Sequence, residues 1–445
     1  MKTTVRALLL LCLGTGIAQA QQPSMQFYRP NDKAGVNIFE TTKDDTTTYT
    51  GIHVRIGGAF TQDYQSLSHS NTAKPIWTKT TPTAKDSTNT NQLAALTSGF
   101  NLAMANMTID AQLEDGVRAN VTVYLSSKHH NESWVKNGYL QLDKLPFFHN
   151  EMINEIMKSL TIKVGDLEVD YGDQHFRRVD GGNSMYNPFV ENYIMDEFAT
   201  EIGGEVYFHN SGFLVMLGVT DGMLNPTVIA SNKIDSVTKS PNAYQPAIHV
   251  KLGYDKQLTP DLRIRLTGSL YQEGSTSSST LFGGDRTGSH YFFVTENTTA
   301  TTTGNPFSGR FNPGFSDEVT TFMINPFVKF AGLEIFGTYE SAQGRTISEV
   351  AKRKASQLAA DVLYRFGATE NFWVGARYNT MKATLPVSNI DVTINRIVGS
   401  AGWFLTPSVM MKLEYVTQEY VDFPVLDIRN GAKFSGVVVE AVLGF

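Results

Sequence analysis

Apolar and polar side chains alternate along most of the chain in short segments, and this pattern predicts antiparallel β-strands. In one segment, Val117, Val121 and Val123 alternate with Arg118 and Thr122, which gives a strand with one apolar and one polar face. Counting every such segment gives about 16 strands, and about 14 to 18 are compatible with the pattern. An even number of antiparallel strands is typical of bacterial outer-membrane barrels, so the pattern predicts an all-β transmembrane barrel.

The connections between these segments alternate in length, which favours a barrel over a soluble sandwich. Turns such as Ala331-Gly332 and Thr406 to Ser408 are short, whereas the intervening connections are long and polar. Short periplasmic turns and long extracellular loops are typical of outer-membrane barrels, and a sandwich has no such strict alternation. The longest predicted loop, Glu273 to Glu318, is rich in Thr, Ser, Gly and Asn, and we expect it to face water.

The N-terminus has the features of a signal peptide and therefore predicts export. Lys2 and Arg6 precede an apolar run, and Ala18-Gln19-Ala20 is a small-x-small cleavage site. The apolar run is too short to remain as a membrane anchor. The predicted signal peptide is residues 1–20. It contains the only cysteine, Cys12, so we expect neither disulfides nor thiolate metal sites in the mature protein.

The rest of the chain is predicted to have two parts. Residues 21–50 are expected to form an ordered periplasmic lead-in that is not part of the barrel and is too short to be the plug domain of an energy-coupled transporter. Residues 51–445 are expected to form the outer-membrane barrel. The chain carries 37 Lys and Arg against 43 Asp and Glu, and this acidic balance argues against a nucleic-acid partner.

Basic side chains recur on the polar faces of the predicted strands, where they would line a wet lumen. An Arg or Lys on the lipid face at mid-bilayer costs about 2–4 kcal/mol, so we expect the charged faces to point inward and the apolar faces to meet lipid. These basic residues could form an anion-attracting ladder, although the acidic balance does not favour phosphate selectivity. They are Arg55, Arg118, Arg263, Arg265, Arg365 and Arg377.

A long connection interrupts the strand pattern at about residues 170–199. Such connections are usually functional or disordered, and the aromatic and Asn-Pro content here argues against disorder. It is the third long connection in the count, and we interpret it as an extracellular loop folded into the barrel lumen.

Charged residues at the start of this connection predict a pore constriction. Asp166, Glu168 and Asp170 recur at a spacing of two, and Arg177 and Arg178 follow within reach of a loop fold. Acidic and basic sets that face each other across a pore create a transverse field, which orients polar solutes and sets ion preference.

The apolar residues change parity at Gly165. Ile162 and Val164 lie at even positions, whereas Leu167 and Val169 lie at odd positions. A glycine at such a change predicts a β-bulge, or the point at which the strand leaves the barrel wall.

The last segment ends on Phe445, preceded by Leu443, Ala441 and Val439 at a spacing of two. A terminal aromatic residue in this context resembles the C-terminal signal by which outer-membrane barrels are recognised for insertion. It identifies Phe445 as a candidate assembly signal and the barrel-assembly machinery as a partner.

As a whole, the chain resembles a 16-stranded outer-membrane porin of Gram-negative bacteria, in architecture close to the general and phosphate-selective porins. The stretch VGDLEVDYGDQHFRRVDGGNSMYNPFV resembles porin-like proteins whose solute is unassigned. The resemblance implies passive diffusion of small hydrophilic solutes or ions, contact with outer-membrane lipid and a homotrimer. It implies no catalytic activity, cofactor or metal.

Several alternatives remain open at this stage. The acidic run is also compatible with a solvated loop or with a calcium site, since oxygen ligands suit that cation. The arginine pair is also compatible with a purely structural role, in which it pins the loop to the wall through carboxylates. A cluster of Ser126, Ser127, His129 and His130 is compatible with an enzyme, but no carboxylate is placed to orient either histidine. The long Glu273 to Glu318 loop is also compatible with a non-conducting barrel that acts as a surface receptor or a secretion-system component.

Overall fold

The strand pattern is borne out in a closed antiparallel barrel. The computed structural model describes residues 22–79, 87–101, 104–126, 132–179, 183–223, 228–276, 278–284 and 287–445. The predicted signal peptide, residues 1–20, and three members of the serine and histidine cluster, Ser127, His129 and His130, lie outside the described residues.

Sixteen long strands form the wall of the barrel, as the sequence predicts. They are β1 (His53–Ser70), β2 (Met104–Glu114), β3 (Val117–Leu125), β4 (Trp134–Leu142), β5 (Leu160–Glu168), β6 (Thr200–Asn210), β7 (Phe213–Thr220), β8 (Ala247–Gln257), β9 (Leu262–Glu273), β10 (Glu318–Phe330), β11 (Leu333–Arg345), β12 (Arg353–Phe366), β13 (Phe372–Thr384), β14 (Asp391–Thr406), β15 (Val409–Val421) and β16 (Lys433–Gly444). Each strand pairs with its neighbours in sequence, and β1 pairs with both β2 and β16, which closes the barrel.

A few short elements lie outside this set. Gly99–Phe100 pairs with β1 as a two-residue strand, and Trp77–Lys79 pairs with Ser87–Asn89 in a separate hairpin. Helix α1 (Glu151–Met157) lies in the connection between β4 and β5. Among the described residues, no helix is both long enough and apolar enough to span a membrane.

The two faces of the wall differ in chemistry, as the alternation requires. On β10, Phe322 and Ile324 are exposed on the outside, whereas Thr321 and Asn325 are buried on the inside. Other strands repeat this arrangement. The wall therefore has an apolar outer surface and a mainly polar inner surface, and its backbone groups are satisfied by the ladder between strands.

Strand β1 is longer than the alternation indicates. The sequence predicts a strand from Ile52 to Thr61, followed by a polar loop, but the strand continues to Ser70. In this extension both faces carry mainly polar side chains, for example Gln65 inside and Ser66 outside. Period-two hydrophobicity is therefore absent, although the strand is fully paired with β16.

The β-bulge predicted at Gly165 is wrong. Gly165 faces Tyr139 of β4, and Asp166 faces Ile202 of β6, without a shift in register. Because Ile202 is exposed on the outer surface, Asp166 also lies on the outward side, and Leu167 points inward and is buried. The apolar residues change parity because the lumen is filled with protein at this level. Pairing with β4 ends at Asp166, one residue after Gly165, whereas pairing with β6 continues to Glu168, so the strand leaves one side of the wall next to Gly165.

We expect Gly165 to tolerate no side chain. Its φ angle is +142°, and a Cβ atom there would lie 2.5 Å from the carbonyl oxygen of Gly138 and 2.7 Å from Cα of Tyr139. Gly165→Ala should therefore destabilise the barrel by about 1–3 kcal/mol. The measurement is the temperature at which the folded band disappears in semi-native electrophoresis. The control is Gly268→Ala on β9, where a Cβ would meet no atom within 4 Å. Equal temperatures for the two variants would contradict the prediction.

Candidate functional site in the barrel lumen

The third long connection, residues 169–199 and hereafter L3, lies inside the barrel. Nearly all of its described residues are buried. Its backbone is held by side chains of the wall, because the amides of Ile194 and Met195 donate to Asn379 of β13 and Gln357 of β12, at 2.7 and 2.8 Å. These backbone contacts fix L3 across the interior.

The fifth long connection, residues 274–317 and hereafter L5, packs on L3. The amide of Phe311 donates to the carbonyl oxygen of Ile194 at 2.7 Å, and the amide of Phe198 donates to that of Leu281 at 2.7 Å. Apolar side chains of both loops and the wall form one buried cluster, which includes Phe189, Ile194, Tyr291 and Val294. Part of the longest loop is therefore shielded from water, although its composition predicts a solvated segment.

The lead-in, residues 22–50, lies against L3 at the end of the barrel that carries the short turns. The guanidinium of Arg29 lies 3.7 Å from the ring centroid of Tyr186 and donates to the carbonyl oxygen of Phe176 at 3.0 Å. The amide of Lys33 donates to Pro407, in the turn between β14 and β15, at 2.9 Å. By the usual orientation of outer-membrane barrels, this is the periplasmic end.

Charged groups join the lead-in to the inner wall. The side-chain amide of Asn37 donates to the carboxylate of Glu334 on β11 at 2.8 Å. The carboxylate of Glu40 lies 3.1 Å from the ammonium of Lys251 on β8 and 2.8 Å from the guanidinium of Arg265 on β9. The sequence does not predict contact between this segment and the lumen, but these side chains contact inward-facing residues.

The three predicted constriction acids do not share one environment. Asp170 forms a buried ion pair with Lys251 and accepts a hydrogen bond from His175 at 2.8 Å. Glu168 lies 3.5 Å from the other ring nitrogen of His175. Asp166 lies on the outward side of β5. Only Asp170 is therefore drawn fully into the buried network.

The two predicted constriction arginines are buried in ion pairs with other carboxylates. Arg177 pairs with Glu334 on the wall at 2.5 Å. Arg178 pairs with Asp196, within L3 itself, at 2.5 Å and donates to the carbonyl oxygen of Glu197 at 2.7 Å. These contacts fit the alternative in which the arginines hold the loop in place. A role for Asp166, Glu168, Asp170, Arg177 and Arg178 in ion preference stays a prediction.

The arginines predicted to line the lumen do point inward, but five of them are neutralised. The ion pairs are Arg118 with Asp110, Arg263 with Asp255, Arg265 with Asp173, Arg365 with Glu334 and Arg377 with Asp361, at 2.5 to 3.0 Å. Arg55 lies 5.2 Å from the ring centroid of Tyr28 in the lead-in. Because these guanidinium groups already hold carboxylates or stack on the lead-in, the geometry does not favour the anion-attracting ladder.

The loop groups in this network have shifted pKa values. Burial alone would raise the pKa of Asp170, but Lys251 and His175 outweigh it and hold the pKa well below its usual range. In the same way Arg265 and Lys251 lower the pKa of Asp173 to about 2 against the effect of burial. Burial lowers the pKa of His175, but Asp170 and Glu168 reverse this effect and raise it. The acids therefore stay ionised near neutral pH, and L3 is held by charges that stay paired.

Two of the cavities in the described part of the molecule border L3 and the lead-in. The smaller, of about 10 Å³, lies between L3 and the wall and is lined by residues that include Arg177, Tyr193 and Arg377. The larger, of about 400 Å³, lies at the periplasmic end beside the lead-in, where Lys33 and Lys329 face Glu370. The lead-in therefore borders a cavity that is much larger than the one beside L3.

Two wall residues, Lys251 and Glu334, organise this network and were not predicted from the sequence. Lys251 contacts the lead-in and L3 together, and Glu334 accepts from Asn37 while pairing with Arg177 and Arg365. The sequence carries only a weak signal for the role of these two residues. Each is a single charge on the polar face of a strand, and nothing in the local pattern shows which distant groups converge on it.

Comparisons with known proteins bear on the fold. No protein-family profile and no curated protein matches the chain. Among solved structures, an anion-selective porin from Comamonas acidovorans superposes with a TM-score of 0.50 at 10% identity, covering 88% of this chain and all of that one. The fold is that of an outer-membrane porin.

Two other structures give similar superpositions. The outer-membrane channel DcaP of Acinetobacter baumannii has a TM-score of 0.49 at 11% identity, covering 90% of this chain and 99% of that chain. The trimer form of OmpT, an outer-membrane protein of Vibrio cholerae, has a TM-score of 0.48 at 10% identity, covering 89% of this chain and 100% of that chain. At such identities the likeness concerns the porin fold alone.

We expect Lys251 to be essential for the anchoring of L3 and the lead-in. Lys251→Met would leave Asp170, Asp173 and Glu40 without their shared cation, and breaking a buried ion pair on one side costs about 3–5 kcal/mol. The measurement is limited proteolysis of the folded barrel, with cleavage in the lead-in or L3 rising in the variant. The control is Lys158→Met, whose partner Glu155 is exposed. Equal protection in both variants would show that the ion pairs do not hold these segments.

Proposed function

We propose that the protein is an outer-membrane channel for small hydrophilic solutes or ions, narrowed by L3 and the lead-in. The observation that carries the proposal is the closed 16-stranded barrel, with an apolar outer face and a charged inner face. Charged side chains on the inside of such a wall cost little when they meet water or partners, whereas on the lipid face they are expensive. The porin fold supports the same assignment.

The interior favours polar solutes over apolar ones. The larger cavity is lined mainly by polar groups, including Lys33, Arg263, Lys329 and Glu370. A solute that entered from the periplasmic end would exchange its water for these groups before it reached L3. Farther along the axis the path would be narrowed by L3 and the lead-in, because both occupy part of the interior.

We keep the remaining expectations of the porin resemblance as part of this proposal. They are a homotrimer, location in the outer membrane and assembly by the barrel-assembly machinery through Phe445. The backbone of Phe445 exchanges hydrogen bonds with Gly58 at 3.0 and 3.1 Å, and its ring is half exposed. A terminal aromatic side chain at the seam is therefore accessible to another protein before the seam closes.

A second candidate is a non-conducting barrel that acts as a surface receptor or a secretion-system component. The observation that favours it is the apolar cluster between L3 and L5. Packed apolar groups across a lumen hinder water and ions, because they offer no partners for a hydrated solute. This candidate and the channel differ in one measurable property, the passage of current.

We expect the lead-in to limit conductance. Deletion of residues 22–44 removes Arg29, Phe39 and Glu40 from the lumen but leaves the backbone ladder of the wall intact. In planar bilayers the wild type should give small current steps, and the deletion variant should give steps that are several-fold larger. A double Phe147→Ala and Phe148→Ala variant, changed outside the lumen, should behave like the wild type.

The result decides between the two candidates. If folded wild type and folded deletion variant both give no current, the channel proposal fails and the non-conducting barrel takes its place. If both give the same large steps, the pore conducts but the lead-in does not narrow it.

We also expect Arg177 and Arg178 to influence ion preference. Changing both to Ala leaves Glu334 and Asp196 with fewer compensating cations, so the reversal potential under a salt gradient should shift toward cation preference. Conductance should rise as well, since L3 loses two of its ion pairs. Lys158→Ala, which removes the exposed pair with Glu155 in the connection between β4 and β5, is the control. An unchanged reversal potential would place these arginines away from the ion path.

A further inference from the structure

Three side chains of the types that commonly ligate metals converge at the seam where the barrel closes. Asp63 of β1 and Glu440 of β16 face each other directly in the strand register, and His290 comes from L5. One candidate ligand atom from each residue lies within 4.8 Å of the others. All three residues are at least 98% buried. The cluster is therefore assembled from the first strand, the last strand and a loop.

The distances within the cluster suit a small cation. Nδ1 of His290 lies 2.6 Å from Oδ2 of Asp63 and 3.4 Å from Oε1 of Glu440. Zn²⁺ and similar ions bind His nitrogen and carboxylate oxygen at about 2.0–2.2 Å. Donor atoms that lie about 3 Å apart can surround such an ion with small side-chain shifts.

Two buried carboxylate oxygens of the cluster have no hydrogen-bond donor among the described residues. Oδ1 of Asp63 and Oε1 of Glu440 are buried and accept no hydrogen bond from the described residues. Two carboxylates placed directly opposite on neighbouring strands repel each other. Lys412 offsets part of this charge through Oε2 of Glu440 at 2.6 Å, which leaves Oε1 available on the side of His290.

The surroundings hold His290 in position. Its backbone amide donates to Glu191 of L3 at 2.7 Å, and its carbonyl oxygen accepts from the side chain of Asn101 at 2.9 Å. The hydroxyl of Ser289 donates to the same carboxylate of Glu191 at 2.7 Å. Ligands with supporting contacts of this kind need little reorganisation to bind a metal ion.

We propose that Asp63, His290 and Glu440 form a site for a divalent transition-metal cation such as Zn²⁺. Binding at Nδ1 releases the proton that His290 shares with Asp63, while Lys412 keeps its pair with the other oxygen of Glu440. The mixture of one imidazole and two carboxylates suits Zn²⁺ and its neighbours better than Ca²⁺, which takes oxygen ligands only.

The site would link L5 to the seam of the barrel. A bound ion would join the first strand, the last strand and the loop that packs on L3. Because binding to the folded state alone stabilises it by mass action, the ion would fix L5 over the lumen. This consequence does not depend on whether the barrel conducts.

The test is direct metal titration of folded, tag-free protein after chelator treatment. The probe is Co²⁺, followed by its visible absorption, and Zn²⁺ content is then measured by elemental analysis after dialysis. We expect one equivalent of either ion per barrel in the wild type. Affinity should fall at least about tenfold in His290→Gln and Glu440→Gln. The bound ion should also slow proteolysis of L5.

The matched control is His249→Gln. His249 is also fully buried and lies 3.0 Å from Glu205, so its loss tests whether any buried histidine next to a carboxylate gives the signal. This variant should bind metal like the wild type. If His290→Gln fails to fold, Asp63→Asn provides the same comparison with a smaller change.

Two outcomes would overturn the proposal. If folded wild type takes up no Co²⁺ or Zn²⁺, the three residues form only an ion-pair network. If it takes up metal but loses none of it in folded Asp63→Asn or His290→Gln, the metal binds elsewhere.

Discussion

Charge compensation inside a filled barrel is the constraint on which the lumen depends. A wide, water-filled pore can leave its inner charges to solvent, but here L3, L5 and the lead-in occupy much of the interior. A charge that is buried in this way is costly unless a partner of opposite sign lies next to it. Lys251 and Glu334 each bind several groups of opposite charge or polar character at once. Through these contacts they connect the lead-in and L3 to the wall.

The wall and its contents are stabilised by different interactions. The strands are held by a continuous ladder of backbone hydrogen bonds, which depends little on side-chain identity, and by the apolar outer surface. The contents are held by ion pairs, side-chain hydrogen bonds to loop amides and one apolar cluster. Substitutions in the interior can therefore change the packing of L3 or the lead-in while the barrel stays closed.

The sequence predicts the wall well because a strand with two different environments has a period of two. The inward position of the basic residues follows from the same alternation. The prediction becomes weak where both faces meet similar surroundings, as in the extension of β1 beyond Thr61. The change of parity at Gly165 has a different cause from the predicted β-bulge. From Leu167 onward the inward-facing residues pack against protein and are apolar, while the register of the strand does not shift.

The partners of the buried charges could not be predicted, because they are far apart along the chain. Arg177 and Glu334, for example, are brought together only by the closed barrel, and local spacing carries no information on such a pair. The contacts of the lead-in with the lumen could not be predicted for the same reason, since Glu40 and Lys251 are far apart along the chain. The predictions for the site that follow from alternation within one strand, such as the inward orientation of the arginines, are the most accurate ones.

The contacts of L3 and the lead-in couple the two segments to each other. L3 is held by hydrogen bonds from its own backbone to Asn379 and Gln357, deep among buried side chains, and by the cluster that it shares with L5. The lead-in is held by a buried ion pair between Glu40 and Lys251. Lys251 also pairs with Asp170 at the start of L3, so displacement of the lead-in would leave this buried charge with one partner fewer. Movement of the lead-in therefore weakens an anchor of L3, and the two segments resist displacement together.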